Sequence, residues 1–138
     1  MFTQAFNSYV CEGDTISTNY QDFEVIATVM RDVDYKIDDD DGHNTDQSVT
    51  GCNDEQQEKL LAARQAWFDD EWFYCGIVLS AYKNGVLIDD HIASLWGIEC
   101  NYPDSDNSYL LTVANELLQE GIEQAKGSLS TMLDKLTS

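Results

Sequence analysis

The sequence predicts an α+β fold: an antiparallel β-sheet of about three strands with two helices packed on one face, in the order β-α-β-β-α. Three observations predict it. Two stretches rich in aromatic and β-branched residues, 72–82 and 86–98, flank Asn84-Gly85, a dipeptide that favours a tight hairpin. Two other stretches repeat apolar residues at helical spacing. The 138 residues suit one core, so we expect a single acidic domain over residues 1–138.

The first predicted strand covers residues 20–37. Apolar side chains occupy every second position in its first half, as in a strand with one buried face. Beyond Arg31 the alternation continues with Asp32 and Asp34, so we expect the strand to extend there with one acidic face. Residues 38–53 follow as a solvated acidic loop, because they contain almost nothing to bury and several residues that favour turns.

The remaining elements are predicted from helix caps, from apolar stretches and from residues that interrupt a helix or strand. A helix is expected to begin near Asp54, with Asn53 as its N-cap. The stretch 72–82 is apolar on both sides, which indicates a central strand, and 86–98 is expected to bend at residues 89–91. A last helix should follow a cap at Asp106, Asn107 or Ser108, and Gly127 should break or bend it.

The charge is the most unusual property of the chain. Its 26 acidic and seven basic residues give a formal net charge of -19, although 43% of the residues are hydrophobic, as in an ordinary folded domain. Such a surface repels nucleic acids and anionic membranes and attracts basic proteins or cations. No apolar run approaches the roughly 20 residues that span a bilayer.

The cysteines predict a reducing environment. Cys11, Cys52, Cys75 and Cys100 are isolated in the sequence, and the N-terminal residues lack the pattern of a signal peptide. We therefore expect free thiols and a cytoplasmic protein.

The acidic run DDDDG at residues 38–42 suggests a calcium loop, but its register does not fit an EF-hand. With Gly42 at the sixth position, Ile37 falls at the first and Ser48 at the twelfth, and neither supplies the required carboxylate. A weak, different Ca²⁺ or Mg²⁺ site stays open as an alternative.

Other chemical motifs are missing from the sequence. The histidines and cysteines show no short zinc-ligand spacing, and there is no GxSxG, Walker or GxGxxG motif. His91, beside Asp89 and Asp90, could act as a general base, but a structural role fits such a position better. We expect a protein that is not an enzyme, with no catalytic residue, no cofactor and no metal.

Two motifs stand out in the second half of the chain: WFYCGIVL at residues 72–79 and the more specific ASLWGIE at residues 93–99. Together with VANEL at residues 113–117, they resemble a family of short bacteriophage and mobile-element proteins that share W-[FY]-x-x-G-[IV]-V followed by A-S-L-W-G-I-E. The resemblance covers roughly residues 71–125, and residues 87–91 depart from the family's tighter connection. It implies no activity; it implies that the protein acts in a host cytoplasm, where small acidic phage proteins often modulate host machinery.

The motif ASLWGIE is expected to end a strand of the core. Leu95 and Ile98 should pack inward, and Trp96 should be a core residue that anchors a sheet edge. Gly97 should permit a bulge or a close backbone approach.

The charge and the resemblance together predict a small inhibitor or interaction protein that binds the basic, nucleic-acid-binding surface of a host defence protein. An anti-CRISPR or anti-restriction protein that mimics DNA would act in this way, by occupying a cleft lined with Lys and Arg. The expected partner-binding carboxylates are Asp32, Asp34, Asp38, Asp39, Asp40, Asp41, Asp69, Asp70, Glu71, Asp89 and Asp90. The alternatives are a structural or regulatory phage protein whose acidity serves solubility, and a weak cation-binding protein.

Overall fold

Four antiparallel strands form one sheet, in the order β1-β2-β3-β4, in the computed structural model, which describes residues 1–39 and 54–137. The strands are β1 (Thr15–Tyr20), β2 (Phe23–Arg31), β3 (Phe73–Lys83) and β4 (Val86–Cys100). The helices are α1 (Asp54–Phe68) and α2 (Tyr109–Thr137), and a short 3₁₀ turn covers Ile37–Asp39. The α+β class is confirmed, whereas the predicted strand count and order are wrong, because β1 precedes β2.

The predicted strand over residues 20–37 is wrong at both ends. Gln21 and Asp22 adopt positive φ angles of 48° and 71° and form the turn between β1 and β2. At the other end, the Asp32 carboxylate accepts hydrogen bonds from the amides of Asp34 and Tyr35. This local turn competes with an extended strand and takes the chain out of the sheet after Arg31.

The main core lies between the sheet and α2. Alternate residues of the two central strands face this helix, and they are Phe23, Val25, Ala27, Val29, Cys75, Ile77, Leu79 and Ala81. The apolar stripe of α2 covers them as the sequence predicts, with Leu110, Ala114, Leu117, Leu118, Ile122 and Ala125. The predicted break at Gly127 is wrong, since α2 continues as one helix to Thr137.

The helix α1 packs on the opposite face of the sheet. Trp72 is fully buried, and its indole Nε1 donates a hydrogen bond of 2.7 Å to the carbonyl of Ala63 in α1. Ala66 packs beside it against Tyr74, which side-chain alternation along β3 places on the other face from Cys75. The prediction that both helices lie on one face is therefore wrong. Because β3 is buried on both faces, one helix packs on each face of the sheet.

The hairpin between β3 and β4 is confirmed, and the register of β4 is irregular at three places. Asn84 and Gly85 adopt the positive φ angles that this turn needs, 52° and 80°. The first irregularity falls between Leu87 and Asp89, and the second falls between Asp89 and Ala93, which confirms the predicted bend. The third falls between Leu95 and Ile98, where Gly97 has a φ of 71°. These bulges bend β4 and re-aim its side chains.

The N-terminal segment closes the core at the start of α2. The amide of Phe2 donates to Asn115 Oδ1 at 2.7 Å, and the amide of Val10 donates to Asn101 Oδ1 at 2.8 Å. Phe2 and Val10 are both buried. Asn107 completes this junction, since its side-chain amide donates to the carbonyl of Ser8.

Three cysteines among the described residues are free thiols, Cys11 on the surface and Cys75 and Cys100 in the core, whereas Cys52 lies outside the described residues. The contact with Cys75, together with burial, raises the pKa of the Cys100 thiol well above its ordinary range. We predict that a Cys52→Ser variant shows one rapidly reacting thiol under native conditions and two more only after unfolding. Labelling with a chromogenic disulfide reagent would measure this. Rapid reaction of all three thiols would contradict the buried placement.

Candidate functional site

The half-exposed ring of Trp96 lies across the backbone of Gly76, on the sheet face opposite α2. A side chain at position 76 would overlap the indole ring. Trp96 keeps 45% of its surface exposed, so the prediction that it is a core residue is wrong. Leu95 is exposed as well because β4 is an edge strand, whereas Ile98 is buried as predicted.

Hydrogen bonds fix the orientation of the Trp96 ring. Its Nε1 donates to Ser94 Oγ at 3.2 Å, and Ser94 Oγ is 2.8 Å from His91 Nε2. The backbone amide of His91 in turn donates to the Asp89 carboxylate at 3.0 Å. The exposed aromatic surface is therefore held in one position before any partner arrives.

The sheet face around Trp96 carries little charge. Residues paired directly across antiparallel strands share a face, so the register places these side chains around Trp96: Thr15, Ser17, Asn19, Ile26, Thr28, Met30, Val78, Ser80 and Ser94. By the same register, Glu24 at the start of β2 and Glu99 opposite Tyr74 also lie on this face, and they are its carboxylates among the paired positions of the four described strands. A face with mainly hydroxyl and apolar groups is unusual on a chain with a net charge of -19.

A depression of about 420 Å³ lies at one end of this face, lined by Arg31, Asp32, Val33, Asp34 and Trp96. Val33 is 73% exposed there. The Asp32 carboxylate holds the lining segment in place, because it also accepts a hydrogen bond of 3.0 Å from the amide of Gly97 in the β4 bulge.

Besides Asp32, two charged side chains line the depression, and they differ in their contacts. The Arg31 guanidinium forms an ion pair of 2.6 Å with Asp70 and lies over the Phe73 ring. The Asp34 carboxylate, by contrast, has no hydrogen bond or ion pair with any residue in the described ranges 1–39 and 54–137. It is the available negative charge beside Trp96.

Several of the predicted partner-binding carboxylates have contacts within the fold. Asp38 pairs with Arg64 at 2.6 Å, and Asp39 accepts a hydrogen bond from the amide of Lys36. Asp69 accepts a hydrogen bond from Gln65, and Asp70 pairs with Arg31.

The predicted set separates into two groups. Asp32, Asp34 and Asp70 lie near the end of β2, where Arg31 pairs with Cys75, whereas Asp89 pairs with Ala81 near the hairpin. At ~3.3 Å per residue, these two points on β3 are about 20 Å apart. Glu71 and Asp90 are exposed, and Asp40 and Asp41 lie outside the described residues.

His91, Ser94 and Asp89 do not form a catalytic triad. His91 and Ser94 are in contact, but the Asp89 carboxylate bonds to a backbone amide and to α2 instead of orienting the imidazole. Within residues 1–39 and 54–137, no group of three or more His, Cys, Asp or Glu side chains could hold a metal ion. None of the helices in these ranges has the length and apolar character to cross a membrane.

The sequence carried one signal for this surface that the prediction did not use. In β1 and β2, the positions opposite the buried alternation are Thr15, Ser17, Asn19, Glu24, Ile26, Thr28 and Met30, and only one of these seven residues is acidic. Trp96 follows the same alternation in β4. No protein-family model, no curated protein and no solved structure matches this chain.

The contact between Gly76 and Trp96 predicts a position-specific loss of stability. Gly76→Ala should lower the free energy of unfolding by about 1 to 3 kcal/mol, because the new methyl group overlaps the indole ring. Gly127→Ala is the matched control; nothing lies near its added Cβ, so it should stabilise α2 by about 0.5 to 1 kcal/mol. Urea denaturation measures both. Equal stability of Gly76→Ala and the parent protein would contradict the packing.

Asp89 predicts a pH-dependent contribution to stability. Burial raises the pKa of its carboxyl group, but hydrogen bonds from Ser128, His91 and Gln124 together outweigh burial and leave the pKa below its ordinary value. The folded pKa lies below the unfolded pKa of about 3.9, so the stabilisation is present above that pH and is lost as the pH falls through the folded pKa.

We therefore expect Asp89→Asn to lower the free energy of unfolding at neutral pH by about 0.5 to 1 kcal/mol, and by less below a pH of about 4. The matched control is Asp90→Asn, which changes an exposed carboxylate next to it. Denaturation across this pH range compares the two. A loss for Asp89→Asn that stays constant down to a pH of about 2 would refute the assignment.

Proposed function

We propose that this protein binds the basic, nucleic-acid-binding surface of another protein and inhibits that protein by occupying the surface. The observation that carries the proposal is the net charge of -19 on a chain whose few basic side chains are largely used internally. The resemblance to bacteriophage proteins supports a host defence protein as the partner.

The basic residues contribute little positive surface. Within residues 1–39 and 54–137, four of the seven are in ion pairs, and these pairs are Arg31–Asp70, Lys59–Glu55, Arg64–Asp38 and Lys126–Glu123. Lys83 donates to the carbonyl of Asp22 and lies over the Phe23 ring. The carboxylates beyond these pairs give the surface a strongly negative field.

Such a field selects its partner and speeds the encounter. It repels the phosphates of nucleic acids, and it attracts a surface lined with Lys and Arg over a distance set by the ionic strength. Duplex DNA offers such a surface one negative charge about every 1.7 Å, so a protein that binds DNA is already adapted to an anionic ligand.

The low charge of the sheet face around Trp96 favours binding over acidity that serves solubility alone. Acidity selected for solubility alone gives no reason for carboxylates to be sparse on one face of the sheet. A face with few carboxylates and an exposed, fixed Trp96 inside an acidic surface has the composition of an interface, in which aromatic anchors are surrounded by polar residues.

The test begins with capture of a partner from a bacterial lysate by the immobilised protein, followed by kinetic measurements on the purified pair. We expect the association rate to fall steeply between about 50 and 200 mM salt, and duplex DNA to compete for the partner. A captured partner that binds this protein and DNA at the same time would overturn the proposal.

Two charge variants with the same total change locate the binding surface. The first combines Asp34→Asn, Glu71→Gln and Asp90→Asn, which removes exposed carboxylates of the predicted set. The second combines Glu116→Gln, Glu120→Gln and Asp134→Asn on the exposed side of α2. We expect the first variant to bind more weakly than the second. Equal losses would show that total charge, and not the predicted carboxylates, determines the affinity.

A further inference from the structure

We propose that the depression beside Trp96 receives an arginine side chain of the partner, with its guanidinium stacked on the indole and paired with Asp34. This inference rests on the proposed function, because it names the group on the basic partner that the site recognises. Three properties of the depression carry it: a fixed aromatic surface, an available carboxylate and a suitable shape.

The aromatic surface is Trp96. Among aromatic side chains, the indole ring attracts cations most strongly through its face. One face of this ring rests on the backbone of Gly76, while the side chain keeps 45% of its surface exposed. The hydrogen bond from Nε1 to Ser94 holds the ring in place, so stacking a cation on it costs little ordering of the indole.

The carboxylate is Asp34, which lines the same depression. The turn that Asp32 organises positions it, since the Asp32 carboxylate accepts the amide of Asp34 at 3.2 Å and the amide of Gly97 at 3.0 Å. The nearby Arg31 does not cancel the attraction, because its guanidinium is already paired with Asp70 at 2.6 Å.

The shape favours arginine over lysine. A guanidinium is planar, so it can stack on an indole and donate hydrogen bonds in its own plane to a carboxylate. The exposed side chain of Val33 provides an apolar surface for the methylene groups of an arginine. A nucleic-acid base could also stack on Trp96, but its phosphates would approach a chain with a net charge of -19.

A peptide titration tests the site without the unidentified partner. The probe is acetyl-Gly-Arg-Gly-amide, and the controls replace arginine by lysine or by citrulline, which has nearly the same shape and no charge. The readout is the NMR signal of the Trp96 indole N–H, assigned by its loss in Trp96→Phe. We expect a saturable shift with the arginine peptide, a smaller one with lysine and none with citrulline.

Two carboxylate variants separate local recognition from general attraction. Asp34→Asn should weaken binding of the arginine peptide by about two- to fivefold, the range for an exposed ion pair. Asp90→Asn removes the same charge about 20 Å away along the sheet and should leave binding unchanged. Both positions are exposed, so neither change disturbs the core.

Equal shifts with the arginine and citrulline peptides would overturn the inference, as would equal effects of the two variants. A Trp96 signal that shifts with protein concentration alone would also overturn it, by showing that a second copy of the chain occupies the depression. The proposed function can hold even if this inference fails. A captured basic partner that binds Asp34→Asn and Trp96→Phe unchanged would support that function and place its contact elsewhere.

Discussion

The contact between the Gly76 backbone and the Trp96 ring determines the geometry of one whole side of this protein. Because the central strand has no side chain at that point, a large ring of the neighbouring strand can lie flat across it. The bulge at Gly97 brings the ring into this position and leaves an amide for the Asp32 carboxylate. The segment after β2 is thereby tied to β4, across β3. The depression, its exposed aromatic surface and the direction of the chain beyond Arg31 all follow from this arrangement.

Carboxylates have two different uses in this chain, and two carboxylates that are close in the sequence can differ in their use. Asp89 bonds to α2 through Ser128 and Gln124, whereas its neighbour Asp90 is exposed. Asp32 organises a turn, and Asp34, two residues later, has a carboxylate that makes no bond to the described residues. A few acidic residues thus act as structural hydrogen-bond acceptors, while most others create the field at the surface.

The elements with a regular period could be predicted from the sequence, and those defined by tertiary contacts could not. The hairpin at Asn84-Gly85, the apolar stripe of α2 and the bend in β4 follow from local chemistry. The strand β1 has one fully buried residue, Ile16, so its pattern was too weak to separate it from a loop. Trp96 was expected in the core because its size suggests burial; only the tertiary structure shows that its ring lies over Gly76 with 45% of the side chain exposed. The acidic segments indicated where carboxylates concentrate, but not which of them would bond within the fold.

The irregular path of β4 also matters for how this sheet meets other sheets. A strand at the edge presents unpaired amide and carbonyl groups, which can template pairing with a strand from another molecule and lead to aggregation. In β4 the regular spacing of these groups is interrupted three times, and Asp90 and Glu99 add negative charge along the strand. A second strand would find no continuous ladder there. The same bulges that leave an aromatic ring exposed thus make β4 a poor template for fibrils, and an exposed tryptophan can be kept on this strand without an aggregation-prone edge beside it.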